Sequence, residues 1–312
     1  MTRILITGGA GFIPSALAIR LSQEPGTEVI AVDNLATGDL NKLELEKHPR
    51  IHFIKCDVNR FEDISSVFYA YRPNFVFHYA AVVGVKRTTD HPVSVLHDID
   101  GIRNVLDLCK NTGVKRVFFS SSSEVYGEPV EFPQNEHTTP LNSKLPYAIV
   151  KNIGEAFLRS YHKEYGLDYT VFRFFNTYGP KQSKDFVVSK FIRAALKGED
   201  ITIYGDGLQT RTFCFIDDNI AATTATYLKQ EVINDVANIG NDKETTILEL
   251  ANLVVELTGS SSKIIHLPPL AEGDMTRRMP DIQRMRSLLG RDLLPIRSGL
   301  ERVLADTSFI LG

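Results

Sequence analysis

The chain has 312 residues, a formal net charge of −3 and 43% apolar residues, enough for a full core in one large α/β domain or in a domain with a smaller appendage. Lysine and arginine are dispersed without a long basic run, which leaves no electrostatic footprint for nucleic acid. No apolar run approaches transmembrane length. The N-terminus reads as a folding strand rather than a leader, and Cys56, Cys109 and Cys214 are sparse and far apart; a cytoplasmic protein with no metal and no membrane contact is expected.

In chain order, Arg3–Thr7 is a predicted apolar strand that runs into Gly8-Gly9-Ala10-Gly11. A helical pattern follows over Pro14–Ser22. Strand, glycine turn and helix N-terminus together form a phosphate cradle, with backbone N–H groups and the positive end of the helix dipole facing the anion. Gly8 permits the tight turn and Gly11 lets the backbone approach a pyrophosphate. Phe12 and Ile13, just ahead of the helical pattern, are counted with the same cradle. A second strand is predicted over Val29–Asp33. Asp33 lies about twenty residues beyond the glycines, where a carboxylate binds the adenosine ribose. A carboxylate accepts from a 2′-hydroxyl and repels a 2′-phosphate. Asn34-Leu35 follow with no adjacent arginine, so the cofactor is read as NAD rather than NADP.

Further strands are predicted over His52–Lys55, Phe75–Tyr79, Arg116–Ser120 and Tyr169–Phe174, and helices over Ile64–Tyr71, Val95–Asn111 and Tyr147–Tyr165. This alternation predicts right-handed βαβ units, hence an α/β fold with a Rossmann-type doubly wound parallel sheet. After Asn176 the rhythm changes at Gly179-Pro180. A helix over Val187–Lys197, a strand over Thr202–Tyr204, a turn at Gly205-Asp206-Gly207, a helix over Asp218–Lys229, a strand over Val236–Ile239 and a helix over Ile247–Thr258 are predicted. Residues 1–176 read as the dinucleotide-binding domain. Residues 177–312 read mainly as a smaller C-terminal substrate-binding lobe, with the chain crossing back to the first domain. A ligand is expected beyond the strand C-termini, between the lobes.

Tyr147 and Lys151 stand at i and i+4 on one helix face. A nearby ammonium favours the phenolate and lowers a tyrosine pKa, so Tyr147 is a candidate base for an alcohol proton. Upstream, Ser120-Ser121-Ser122-Ser123-Glu124 ends a strand in hydroxyls and a carboxylate, on the side where the ligand is expected. The order of glycine turn, hydroxyl-rich strand end and Tyr/Lys helix outweighs the bland reading of each part alone.

At this point the chain resembles the extended short-chain dehydrogenase/reductase family, in its NAD-dependent nucleotide-sugar epimerase/dehydratase branch. The resemblance spans nearly the whole length. It rests on Thr7-Gly8-Gly9-Ala10-Gly11-Phe12-Ile13, Cys56-Asp57-Val58, His78-Tyr79-Ala80-Ala81, Ser122-Ser123-Glu124-Val125-Tyr126-Gly127, Tyr147 with Lys151, Arg173-Phe174-Phe175-Asn176-Thr177-Tyr178-Gly179-Pro180, and Tyr204-Gly205-Asp206-Gly207 leading into Thr210-Arg211-Thr212-Phe213. It implies that Asp57 and Val58 hold the adenine and that Ala80 and Ala81 line the cofactor pocket. It also implies that Ser122 bonds the sugar 4-hydroxyl beside Tyr147, and that Lys151 holds the nicotinamide ribose. Asn176, Arg211 and Arg278 would bind the substrate's nucleotide diphosphate; guanidinium groups suit diphosphate oxygens. Two departures stand out: Pro14 replaces a third glycine, and Asp98 stands where asparagine is more common.

The shared first step would remove the C4 hydride to NAD with Tyr147 as base, giving a transient 4-keto sugar. Returning the hydride to the other face gives 4-epimerisation, loss of a C6 carboxylate gives decarboxylation, and loss of water gives a 4,6-dehydratase. Glu124 is a carboxylate a plain epimerase does not need. Ser123 stands where dehydratases carry aspartate, and Lys144 could pair with a substrate carboxylate. The stretch Arg278–Ile282 and Thr210-Arg211-Thr212-Phe213 resemble UDP-glucuronate decarboxylases; Ala80–Arg87 and Pro146-Tyr147-Ala148 resemble UDP-sugar 4-epimerases. Epimerase is the narrow lead, then decarboxylase, then dehydratase. A catalytically silent NAD-binding sensor or scaffold is the reading from a different class, opposed by the intact Ser122, Tyr147 and Lys151. The helices over Val95–Asn111 and Tyr147–Tyr165 are expected to pair in a homodimer.

Overall fold

The computed structural model describes residues 1–84, 88, 90–269 and 277–311. The end of the Ala80–Arg87 stretch therefore lies outside the described residues. Seven strands form the central sheet: β1 (Thr2–Thr7), β2 (Thr27–Asp33), β3 (Ile51–Lys55), β4 (Phe75–His78), β5 (Arg116–Ser122), β6 (Asp168–Phe174) and β11 (Asp235–Ile239). Their order is β11-β6-β5-β4-β1-β2-β3. The neighbours from β3 through β6 pair in parallel, so the C-terminal ends of these strands lie along one edge of the sheet.

The chain divides into two compact units. The first comprises Met1–Gly127, Leu141–Phe174 and Ile220–Ala237. Its helices include α1 (Phe12–Ser22), α2 (Phe61–Tyr71), α3 (Pro92–Leu96), α4 (Asp98–Thr112) and α5 (Pro146–Tyr165). The helix expected over Val95–Asn111 is thus two helices, with His97 as the turn residue between α3 and α4. The sheet is buried on both faces, as parallel sheets are. On one face Leu5, Val32, Val76, Val117, Phe119 and Val171 pack with Ile64, Phe68, Ile102, Val105, Val150 and Leu158. On the other, alternate residues of β4, β5 and β6 build an aromatic row. Phe77 stacks on Phe118 with ring centroids 4.2 Å apart, and Phe118 lies 6.1 Å from Phe172.

The second unit comprises Glu128–Pro140, Phe175–Asn219 and Asn238–Gly312. It contains β7 (Thr177–Tyr178), α6 (Val187–Lys197), β8 (Ile201–Tyr204), β9 (Thr210–Thr212), β10 (Cys214–Phe215), β12 (Glu244–Thr246), α8 (Ile247–Thr258), β13 (Ile264–Leu267), α9 (Gln283–Leu289), α10 (Ile296–Ala305) and α11 (Ser308–Leu311), while α7 (Ile216–Leu228) begins in it. Three two-stranded pairings, β10 with β7, β12 with β9 and β13 with β8, organise it. The start of α8 is fixed by a capping box: Thr246 Oγ1 accepts the Glu249 N–H at 3.0 Å, and Glu249 Oε2 accepts the Thr246 N–H at 2.7 Å. The short pairings and the last three helices went unpredicted. All three cysteines are free and buried, and no helix among the described residues is long and apolar enough to cross a membrane.

Candidate active site

The glycine turn is built at the end of β1. Gly8 has φ of +69°, and a Cβ there would lie 2.9 Å from the Ala80 backbone, so conformation and close approach both require glycine. Gly11 caps α1, and its N–H donates to the Gly8 carbonyl at 2.8 Å. Phe12 and Ile13 are the first helical residues, whose N–H groups have no intrahelical carbonyl to bond. Pro14 is third, buried, with its ring beside Gly11. The helix survives the departure, because a proline in the first turn removes an N–H that had no intrahelical partner. The cradle has one donor fewer than a glycine would give.

Thr7 ties this turn to β4. Its Oγ1 accepts the N–H groups of Tyr79 and Ala80 at 3.0 and 3.1 Å and lies 2.8 Å from His78 Nδ1. Asp33 ends β2. One carboxylate oxygen accepts the Ala10 N–H at 3.1 Å and the other the Leu35 N–H at 2.7 Å. A Cβ at Gly38 would lie 2.9 Å from both oxygens. The bare glycine thus leaves open the space in front of the carboxylate, as a ribose diol requires. Gly38 is a residue that sequence reasoning missed; the only signal was a lone glycine shortly after Asp33. Asn34 is exposed and accepts the Ala36 N–H. Asp57 and Val58 follow β3: Asp57 Oδ1 accepts the Asn59 N–H at 3.0 Å, and the Val58 carbonyl accepts from Asn104 Nδ2 at 3.1 Å. Ala80 and Ala81, half-buried, follow β4. The expected cofactor residues therefore stand at successive strand ends along one edge, and they fit a dinucleotide.

The catalytic candidates stand at the end of β5 and the start of α5. Ser122 closes β5, and its Oγ accepts the Glu124 N–H at 3.2 Å in a 3₁₀ turn over Ser123–Tyr126. The Ser122 hydroxyl is near enough to the Tyr147 phenol to favour its ionised form. Pro146 starts α5, and Tyr147 and Lys151 follow on one face. Lys151 is 3% exposed. Its Nζ donates to Ser120 Oγ at 3.3 Å and lies 5.8 Å from the Tyr147 ring centroid. Burial pushes the Lys151 ammonium down to about 8, with the Asp98 carboxylate pulling it back up.

Tyr147 departs from the sequence expectation that Lys151 would lower it. Burial and then the Glu124 carboxylate push the phenol well above its ordinary value, against the Ser122 hydroxyl, and Asp98 adds to the rise. Spacing gave the lysine but not the two carboxylates or the desolvation. Lys144 is exposed ahead of α5 and makes no hydrogen bond or ion pair to Ser122, Glu124 or Tyr147 among the described residues.

Beneath this set lies a second buried charge cluster, also missed. Glu155, one turn after Lys151 on α5, accepts from Ser121 Oγ at 2.7 Å and from Arg173 Nε at 3.0 Å on one oxygen, and from Arg173 Nη2 at 2.8 Å on the other. Arg173 Nη1 donates to the Tyr126 hydroxyl at 2.9 Å. The cluster joins α5, β5, β6 and the turn that carries Glu124.

In the second unit, the Asn176 carbonyl accepts the Cys214 N–H at 3.2 Å, while its buried amide nitrogen finds no partner among the described residues. Arg211 lies opposite Thr245 in the antiparallel β9–β12 pair and donates to the Thr210 carbonyl at 2.7 Å. Arg277 is engaged by both Glu244 oxygens at 2.7 and 2.6 Å and lies over the Phe132 ring. Its neighbour Arg278 is buried.

Comparison with known proteins gives the family and the fold. Residues 4–240 match the NAD dependent epimerase/dehydratase family. A UDP-N-acetyl-alpha-D-glucosaminuronate decarboxylase of Bacillus cytotoxicus is 37% identical over 303 residues, covering 92% of this chain and 91% of that protein. The UDP-glucose 4-epimerase of Thermotoga maritima, solved with UDP-glucose, superposes with a TM-score of 0.89 at 33% identity, over 97% of this chain and 98% of that one. The UDP-glucuronic acid 4-epimerase of Bacillus cereus, solved with UDP-glucuronic acid and NAD, has a TM-score of 0.89 at 29% identity, over 99% of each chain.

Proposed function

We propose, since this chain belongs to the NAD-dependent epimerase/dehydratase family and is an NAD-dependent enzyme, that it acts on a UDP-hexuronate through a transient 4-keto sugar and releases the C6 carboxylate as CO2. The observation that carries this reading is the position of Glu124 in the 3₁₀ turn that follows β5, its N–H donated to Ser122 Oγ at 3.2 Å, which puts an acid–base group beyond what epimerisation needs beside the serine. The Bacillus cytotoxicus decarboxylase and the Bacillus cereus epimerase both have uronate sugars in their names, which supports a substrate with a C6 carboxylate.

Bound NAD supplies a cationic hydride acceptor, and that charge adds to Lys151 in favouring the phenolate that burial opposes. Gly8, Gly11, Phe12 and Ile13 hold its pyrophosphate, Asp33 and Asn34 its adenosine ribose, Asp57 and Val58 its adenine, Ala80 and Ala81 the pocket wall, and Lys151 the nicotinamide ribose. Tyr147 takes the proton from the sugar O4 while Ser122 holds that oxygen. Once C4 is a ketone, the C5–C6 bond breaks, CO2 leaves and its electron pair becomes an enolate with charge on O4. Tyr147 and Ser122 stabilise that oxygen by hydrogen bonds, Glu124 relays a proton from water to C5 so that the C4 ketone re-forms, and when the hydride is returned to C4 Tyr147 gives its proton back to O4, which leaves the UDP-pentose. Asn176, Arg211 and Arg278 bind the diphosphate, and Lys144 pairs with the carboxylate. Two copies pair along α4 and α5, supported by the groove that Ile153, Phe157, Tyr161 and Tyr165 line on α5. The three buried free thiols support a reducing, cytoplasmic setting.

The second reading is 4-epimerisation of the same class of sugar, favoured by Ser122, Tyr147 and Lys151 being present as a set. Dehydration is disfavoured by the buried Ser123. The test is incubation with UDP-glucuronate, UDP-N-acetylglucosaminuronate and UDP-glucose, with products read by NMR. A UDP-pentose with CO2 release is expected, and Glu124→Gln should slow it by about a hundredfold or more. A C4 epimer as sole product, with Glu124→Gln costing less than about tenfold, would instead establish the second reading.

A further inference from the structure

The 3₁₀ turn over Ser123–Tyr126 carries Glu124 and is capped by Ser122, whose Oγ accepts the Glu124 N–H at 3.2 Å. Its last residue, Tyr126, is buried. The Tyr126 hydroxyl accepts from Arg173 Nη1 at 2.9 Å, and the same guanidinium lies 4.9 Å from the centroid of the Tyr126 ring. Arg173 places Nε and Nη2 on the two oxygens of Glu155, at 3.0 and 2.8 Å. Glu155 also accepts from Ser121 Oγ at 2.7 Å. Ser121 stands opposite Arg173 in the parallel β5–β6 ladder and immediately precedes Ser122. The bonds form a closed path. It leaves β5 beside Ser122, passes through α5 and β6, and returns to the same turn at Tyr126.

Two further observations show what the path does. α5 lies close on β5 because Gly154 precedes Glu155; a Cβ there would run into the Phe119 ring. On its other side the turn is held loosely: the Asn142 and Ser143 N–H groups donate to the Tyr126 and Val125 carbonyls at 3.4 Å each, long for such bonds. The Arg173–Tyr126 bond is shorter, charge-assisted and shielded from water, and such bonds are the strong ones.

We propose that Tyr126 is a positioning residue: through Arg173 and Glu155, its hydroxyl fixes the turn bearing Ser122 and Glu124 against the helix bearing Tyr147 and Lys151. Lys151 stands one turn and Tyr147 two turns before Glu155 on α5, so an anchor at Glu155 sets the spacing between the two halves of the site. Misplacing a reacting group by about 1 Å costs about a hundredfold in rate. Loss of the anchor therefore reduces rate more than binding. The inference rests on the reading in which Ser122 and Tyr147 act on the sugar O4, which decarboxylation and epimerisation share.

The test is Tyr126→Phe, which removes the hydroxyl and leaves the ring and the Arg173–Glu155 pair. It is combined with Ser122→Ala in a double-mutant cycle on whichever UDP-sugar is turned over. Tyr126→Phe should lower kcat by about tenfold, with KM and NAD affinity changed by about twofold at most. In the Ser122→Ala background its further cost should shrink to about twofold or less, because both changes act on one contact. A wild-type kcat in Tyr126→Phe, with or without a lower melting temperature, overturns the proposal. So does an equal loss in both backgrounds, as an effect spread through the fold would give. Should Tyr126→Phe not fold, Arg173→Lys decides by the same cycle, since an ammonium beside Glu155 lacks the fork that also reaches Tyr126. Wild-type turnover in Ser122→Ala alone removes the underlying reading and the proposal with it. Slow turnover there, with additive losses, removes the proposal alone, so the two failures are told apart.

Discussion

Lys151 and Glu155 stand one turn apart on α5 and are almost equally buried, at 3% and 1% exposure. Their surroundings differ sharply. Glu155 is closed: both oxygens are bonded by Arg173, one also by Ser121, and the guanidinium continues to Tyr126. Lys151 has one hydroxyl contact and a carboxylate that acts on it without touching it. A buried charge with every bonding direction filled fixes elements in place. One whose directions are left open is poised to bind something else. The closed cluster thus forms a rigid floor, and the open one above it supplies the chemistry.

The largest effect that sharpens this contrast lies on the open side. Tyr147→Phe removes the proton acceptor and should lower turnover by about 10²–10⁴-fold. NAD affinity and thermal midpoint should hardly change, as steady-state kinetics, calorimetry and a melting curve would show; turnover at the wild-type rate would mean another group takes the proton. The mirror experiment is Arg173→Ala. It leaves the buried Glu155 with only Ser121 and the half-exposed Arg159, 3.6 Å away, and should destabilise the first unit by about 3 kcal/mol, read from urea unfolding. A loss below about 1 kcal/mol would erase the distinction between the two clusters. Asp33 lies between these extremes, since each of its oxygens holds one backbone N–H while Gly38 keeps the space before them clear. Asp33→Ala should narrow the preference for NAD over NADP by about tenfold, near 1.4 kcal/mol, with little change in melting; equal affinities for both cofactors in the unmodified protein would remove the carboxylate from that role.

The first unit was largely legible because its signals are local. Strand runs, the Gly8–Gly11 turn and the Tyr147/Lys151 spacing need only neighbouring residues to be recognised. Glu155 and Arg173 meet across 18 positions, and nothing in either segment marks the other as its partner. Asp98 carried a signal that went unused. Helical periodicity aligns it with Ile102, Val105 and Cys109, all buried, whereas Asp100 faces out and bonds Arg103 at 3.1 Å. The rise in the Tyr147 pKa was illegible because desolvation depends on packing that spacing does not encode. In the second unit, strands of two or three residues are too short for a period-two pattern to register.

The Thr7 hydroxyl fixes more than the ends of two strands. Its oxygen already accepts two backbone N–H groups, so its single proton must go to the third neighbour, His78 Nδ1. That nitrogen is therefore an acceptor, and the ring proton resides on Nε2. The imidazole has one tautomer available, and charging it would set two protons against each other along a 2.8 Å line. A residue type that ordinarily changes charge near neutrality is thereby made electrically silent beneath Lys151. The field felt by the reacting groups is set without it.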